Sequence, residues 1–156
     1  MIEIAIPGFG QVRLQHLVSD YNGTLALDGR LLPGVADAMR ALSARLSIHV
    51  VTADTFGLAA AELVGLPIRL HITPVDSQDL AKLAYVQALG PDTVVAMGNG
   101  RNDRHMLKVA AVGIALSQQE GLATETLLNA DLVLPGVLDA FELLAHPKRL
   151  TATLRS

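Results

Sequence analysis

Two short segments concentrate the residues able to do chemistry: Asp20-Tyr21-Asn22-Gly23-Thr24-Leu25 and Gly98-Asn99-Gly100-Arg101-Asn102-Asp103. Each follows an apolar run that stops at its first polar residue or at the glycine of the loop: Leu17-Val18 before Asp20, and Val94-Val95-Ala96-Met97 before Gly98. Short apolar runs of this kind read as buried strands, so both segments sit at strand carboxyl ends, where open α/β sheets bind ligands. Two carboxylates, Asp20 and Asp103, can then converge on one crevice. Hard oxygen donors beside glycines that admit close backbone approach suit a magnesium ion and a phosphate group.

The elements needed to position them follow from patterning. Ile2 to Ile6 alternates, Pro7-Gly8-Phe9-Gly10 turns, and Val12 and Leu14 continue the alternation, which predicts an amino-terminal hairpin. Asp28-Gly29 within Leu25 to Leu32 predicts a second, small hairpin, a flap beside Asp20. Beyond it, strands and helices alternate. A helix is expected from Pro33-Gly34 to about Leu46, with Val35, Met39, Leu42 and Leu46 on one face, then a strand from Ile48 to Val51 ending at Thr52. A helix from about Thr55 to Val64 and a strand from Ile68 to Ile72 follow. Asp76 or Ser77 is expected to cap a helix that runs to Leu89 and stops at Gly90-Pro91. Val94 to Met97, a helix over Met106 to Ala110, Gly113 to Leu116, a helix near Gly121 to Leu128, Leu132 to Leu134, and Leu138 to Leu144 complete the series. Such alternation predicts an α/β, doubly wound, Rossmann-like parallel sheet with helices on both faces, and no cap domain.

Composition sets the frame. The 156 residues predict one domain, residues 1–156, with a core built from Ala, Leu and Val rather than aromatics. Cysteine is absent, which excludes disulfides and thiolate metal sites. A net charge of −3 argues against nucleic-acid binding, and no apolar run reaches the length of a membrane span. With no signal-like amino terminus either, a soluble cytoplasmic protein is expected.

Thr52, Lys82 and the Gly98–Asp103 loop arrive in order after Asp20, on successive βα units. This ordered set resembles the haloacid dehalogenase superfamily of phosphotransferases and covers nearly the whole chain. The family's first motif is usually D-x-D-G-T, here Asp20-Tyr21-Asn22-Gly23-Thr24. Its second is a Ser or Thr ending the next strand, here Thr52; its third is a Lys, here Lys82. Its fourth, usually G-D-G-x-N-D, is here Gly98-Asn99-Gly100-Arg101-Asn102-Asp103. Thr52-Ala53-Asp54 is similar to the T-G-D motif of P-type ATPase phosphorylation domains, which also lack the second Asp of the first motif.

The resemblance implies roles. Asp20 is the expected nucleophile, forming an aspartyl-phosphate. Mg²⁺ is the expected cofactor, held by Asp20, the Asn22 carbonyl, Asn99 and Asp103. Gly23, Thr52, Ala53 and Lys82 are the expected phosphate contacts, through amides, a hydroxyl and a fixed positive charge. Two departures from the family stand out. Asn22 replaces the Asp that protonates the leaving oxygen, a contribution of about 100- to 10,000-fold in acid–base catalysis. Asn99 replaces a direct metal carboxylate. With two carboxylates instead of four, the site should hold phosphate more readily and metal less readily.

The expectation is therefore a slow Mg²⁺-dependent phosphohydrolase acting on a small phosphorylated substrate or a nucleotide. Its rival is a catalytically weakened phosphate- or nucleotide-binding or assembly protein of the same fold. The flap is too small to cover the crevice alone, so a homo-oligomer is expected in which a neighbour helps close the site. Other signals are weaker. Gly98-Asn99-Gly100 begins like a dinucleotide fingerprint but puts Asp103 at its last position. His49 and His71 read as strand residues, His105 as solvent-facing, and Arg101 as either a phosphate contact or an exposed loop arginine. The tail from Pro147 to Ser156 either packs on the sheet or serves a partner.

Overall fold

The computed structural model describes residues 1–55 and 57–156. The chain opens with β1 (Ile2–Ile6) and β2 (Gly10–Leu14), an antiparallel pair whose Ile2, Ile6, Val12 and Leu14 point into the core. Next come β3 (His16–Ser19) and the flap hairpin of β4 (Ala26–Leu27) and β5 (Arg30–Leu31). Asp28 and Gly29 both take positive φ, 52° and 81°, as the tight hairpin turn requires.

The body follows as α1 (Val35–Leu42), β6 (Ser47–Thr52), α2 (Leu58–Glu62), β7 (Ile68–Ile72), α3 (Gln78–Leu89), β8 (Val94–Gly98), α4 (Arg104–Val109), β9 (Val112–Leu116), α5 (Thr124–Leu128), β10 (Leu132–Leu134), α6 (Val137–Ala145) and α7 (Pro147–Leu154). Six strands form one parallel sheet in the order β10-β9-β8-β3-β6-β7. The chain winds outward from β3 through β6 to β7, then returns to β8 on β3's other side. The reversal lies between β3 and β8, whose carboxyl ends carry the two loops singled out above.

Both faces of the sheet are covered. Leu17, Ile48, Val50, Val95, Met97 and Ile114 pack with α1, α2, α6 and the amino-terminal hairpin. Their neighbours Val18, Val51, Ala96 and Ala115 face α3 and α4, through Val86, Met106 and Leu107. Alternate strand residues thus go to opposite cores, which is why these strands read as unbroken apolar runs. Each fully buried Leu, Ile or Met contributes about 1.5–3 kcal/mol.

The structure corrects several expected boundaries. Helix α1 stops at Leu42 rather than Leu46: the Ser43 hydroxyl donates to Arg40 O, and Ser47 must pair with Gln15 O to enter β6. Leu46 is still buried. Helix α2 is half the expected Thr55–Val64 span. Asp54 and Gly57 hold positive φ before it, while Phe56, within that span, lies outside the described residues. Ser77 takes the N-cap position of α3, but at φ 58° and without a side-chain bond to the helix. Helix α5 begins at Thr124, not Gly121. The tail forms α7, which packs against β1 through buried Leu150 and ends with Ser156 N–H donating to Pro7 O. It covers the hairpin, not the main sheet. No cap domain interrupts the alternation, and among the described residues no helix is long and apolar enough to cross a membrane.

Candidate functional site

Asp20 follows β3 directly, its amide bonded to Met97 O on β8, so the two loops are tied before any side chain takes part. The Tyr21 carbonyl accepts the amides of Thr24, Leu25 and Ala26, curling the chain into a tight turn. Gly23 sits there at φ 75°, and a Cβ would run into the Asn99 side chain. Only glycine fits.

Lys82 reaches this turn from α3. It is fully buried, and its Nζ lies 2.7 Å from Asp20 Oδ1 and 2.7 Å from Asp103 Oδ1, with Asn102 Oδ1 at 3.3 Å. Asp103 Oδ2 accepts the amides of Asn99 at 3.1 Å and Gly100 at 3.0 Å. Both Asp103 oxygens are therefore engaged, one on the lysine and the other on its own loop. Asp20 is different. One oxygen holds Lys82, the other has no side-chain partner among the described residues, and the residue lines a crevice of about 590 Å³. Burial pushes the Asp20 carboxyl up to about 7, reinforced by the Asp103 charge and opposed by Lys82. Burial works against the Lys82 charge too, but the Asp103 and Asp20 carboxylates outweigh it and hold that ammonium above its ordinary value.

The other expected contacts line the same space. Thr52 ends β6; its Oγ accepts the Asp54 amide at 3.3 Å, leaving the hydroxyl proton to point elsewhere. Ala53 and Asn22 also border the crevice. Asp54 does not act there as a free acid, because its carboxylate accepts the amides of Ala59 and Ala60 and caps α2. Gly23 lies behind the rim rather than on it.

Asn99 is engaged at both ends. Its Oδ1 accepts the Thr24 hydroxyl at 3.1 Å and its Nδ2 donates to Gly121 O at 3.0 Å. A carbonyl can only accept, so the amide orientation is fixed. Asparagine thus serves here as a brace between the first loop and the segment before α5, a role a carboxylate could not fill. Gln118 adds a second brace, which nothing in the sequence announced: Nε2 donates to Gly23 O and Thr24 O, while Oε1 accepts the Val137 amide. Arg101 pairs with Glu125 and takes the exposed reading. His49 is buried in β6, His71 lies in β7, and His105 is half-exposed near Asp79.

No three acidic or histidine side chains converge on one point among the described residues. The oxygens that remain for a hard cation are the Asn22 carbonyl and the lone pair that Asp20 Oδ1 keeps beyond its Lys82 bond, which leaves the other Asp20 oxygen free to react. That is a sparse set, but one that fits magnesium, which keeps several waters and binds through one or two carboxylates plus substrate phosphate.

Known proteins resemble this chain in sequence or in fold. An uncharacterized protein of Methanocaldococcus jannaschii is 37% identical over 83 residues, spanning 51% of this chain and 89% of that one. The copper-transporting ATPase of Synechococcus elongatus is 33% identical over 118 residues, 71% of this chain. Among solved structures, a HAD (haloacid dehalogenase) family hydrolase from Streptomyces avermitilis superposes with a TM-score of 0.66 at 21% identity, covering 85% of this chain and 83% of that one. The chain has the fold of the haloacid dehalogenase hydrolases.

This haloacid dehalogenase-like chain is also 35% identical over 82 residues to the phosphoserine phosphatase of Idiomarina loihiensis, 52% of its length. It spans 37% of that phosphatase and 15% of the ATPase, so it matches only a part of each. The magnesium- and phosphate-bound 3-deoxy-D-manno-octulosonate 8-phosphate phosphatase of Moraxella catarrhalis shares the fold at a TM-score of 0.70 and 16% identity, covering 91% of this chain and 94% of that one. No family model matches the chain.

Proposed function

We propose that this haloacid dehalogenase-like chain is a hydrolase of phosphate esters that works through an aspartyl-phosphate on Asp20. One observation carries the reading: Asp20 is anchored through one oxygen to a buried lysine and faces the crevice with no side-chain partner on the other among the described residues. A nucleophile needs that combination of fixed position and a free lone pair. The free oxygen attacks phosphorus, the ester P–O bond breaks, and the leaving oxygen takes a proton from water, since Asn22 has none to exchange. Water then attacks the aspartyl-phosphate, releasing inorganic phosphate and restoring the carboxylate. Thr52 donates its hydroxyl proton to a phosphoryl oxygen, and Lys82 keeps the Asp20 carboxylate oriented and ionised. Mg²⁺, held by Asp20 and the Asn22 carbonyl, would offset the repulsion between carboxylate and phosphoryl oxygens. Asn99 and Asp103 hold the loops on which these groups stand. With Asn22 in place of an acid, turnover is slow.

The test is chemical. Incubation with radiolabelled phosphate ester and Mg²⁺ should give an acid-stable, hydroxylamine-labile label on the wild type and none on Asp20→Ala. A label that persists in Asp20→Ala removes the mechanism. Phosphate protection without any label in either protein would favour a binding module of the same fold.

A further inference from the structure

The crevice above Asp20 has an unusual charge lining. Among the described residues its charged side chains are Asp20, Asp28 and Asp54, with no lysine, arginine or histidine. Lys82 stands behind it, buried and already shared between two carboxylates. The arginines of the neighbouring loop are occupied as well, Arg101 by Glu125 and Arg104 by Asp79 and Glu125. A nucleoside triphosphate entering here would bring several further negative charges to a wall without a side-chain cation, more than one Mg²⁺ and the buried Lys82 offset. A substrate carboxylate meets the same obstacle.

The three acids are not equivalent. Asp20 is the nucleophile of the reading above, and Asp54 is spent on the α2 amides. Asp28 remains. It is exposed at the flap tip, held at φ 52° by the hairpin turn, and borders the crevice with no side-chain hydrogen bond or ion pair among the described residues. The rest of the wall includes the neutral polar Gln78, Asn102 and Thr55 and the apolar Ala53 and Leu58. The volume suits a small molecule.

Resting on the hydrolase reading, we propose that the substrate is the phosphomonoester of an amino alcohol, its ammonium group paired with Asp28, and that polyphosphates are excluded. Asp28 is then the residue that sets specificity. The experiment compares kcat/KM for O-phosphoethanolamine with that for its neutral counterpart, 2-hydroxyethyl phosphate, alongside p-nitrophenyl phosphate, O-phosphoserine and ATP. An exposed ion pair is worth up to about 1 kcal/mol, so the amino ester should lead its neutral counterpart by about fivefold at low salt. The lead should shrink as salt screens the pair. Asp28→Asn, which tolerates the same positive φ, should bring the ratio to about one. Because the readout is a ratio within one protein, a general loss of activity does not disturb it. A wild-type ratio near one, a ratio unchanged in Asp28→Asn, or ATP turned over as readily as the esters overturns the proposal and leaves the hydrolase standing. Absence of turnover on every ester, p-nitrophenyl phosphate included, overturns the hydrolase reading and this inference with it.

Discussion

Asp20 and Asp103 hold the same lysine at the same distance, yet their loops have opposite characters. The loop after β8 consumes its own carboxylate: Asp103 takes Lys82 on one oxygen and the Asn99 and Gly100 amides on the other, fully buried. The loop after β3 leaves its carboxylate half-used beside the crevice. Two aspartates that look alike in sequence thus divide the work, one fixing the geometry and one left free to react. Satisfied hydrogen bonds make the difference, because a fully buried carboxylate engaged on both oxygens is not presented to a phosphorus atom.

Neutral substitutions break the comparison most directly. Asp20→Asn should lose phosphate labelling and turnover by about a thousandfold or more, since an amide cannot serve as the nucleophile. The fold should survive and even gain. A carboxyl whose folded pKa stands above its unfolded value subtracts stability as pH rises through that window, here from about 4 to about 7, and an amide carries no such penalty. Asp103→Asn should do the reverse to stability. An amide offers one acceptor where lysine and loop amides need two, and its NH₂ would face donors, so about 3–5 kcal/mol should be lost in urea or thermal unfolding. Equal stability of the two variants would erase the distinction.

How much of this was legible depends on what each residue does. Asp20, Thr52, Lys82 and Asp103 announce themselves because apolar strands end beside them, or because their order repeats a known series. The doubly wound sheet was legible for the same reason: strands buried on both faces leave unbroken apolar runs. The braces were not. Gln118 bonds main-chain carbonyls far away in sequence, and any exposed glutamine looks the same before folding. The ends of α1 and α2 depended on the Ser43 hydroxyl and on positive φ at Asp54 and Gly57, local details that override apolar periodicity. Asn99 was legible as a departure but not as a requirement, because the Gly121 carbonyl that demands a donor appears only in three dimensions.

That carbonyl sharpens the comparison at the second loop. On family pattern alone, Asn99→Asp should recover metal affinity. In this structure it puts a carboxylate oxygen against Gly121 O and forfeits a hydrogen bond, so about 2–3 kcal/mol of stability should go. Calorimetric titration with Mg²⁺ beside an unfolding curve separates the two effects. Tighter metal binding with unchanged stability would show that the brace is dispensable.

The smallest effect lies one helical turn from Lys82, where α3 also carries Tyr85. Its hydroxyl pairs with His49 Nδ1 at 2.8 Å, and His49 Nε2 pairs with His16 Nδ1 at 3.1 Å. His71 stacks on the Tyr85 ring, and Arg69 on β7 is the nearby cation. Burial, then His16 and Arg69, pull the His49 pKa down to about 4. A histidine with a depressed folded pKa is held neutral by the fold while the unfolded chain takes up protons, so its contribution is present above pH 6.5 and drains away as pH falls toward 4. His16 is only partly buried, which lets water share the added charge and limits the loss to about 1–2 kcal/mol. His49→Gln keeps a polar side chain but cannot titrate, so the stability gap between wild type and variant, followed by urea unfolding from pH 8 to pH 4, should narrow across that window. Asp20 titrates too, but it is common to both proteins and cancels in the difference. A gap that stays constant with pH would mean that α3 is anchored on this side by packing alone, and that Lys82 owes its position to the two carboxylates it joins.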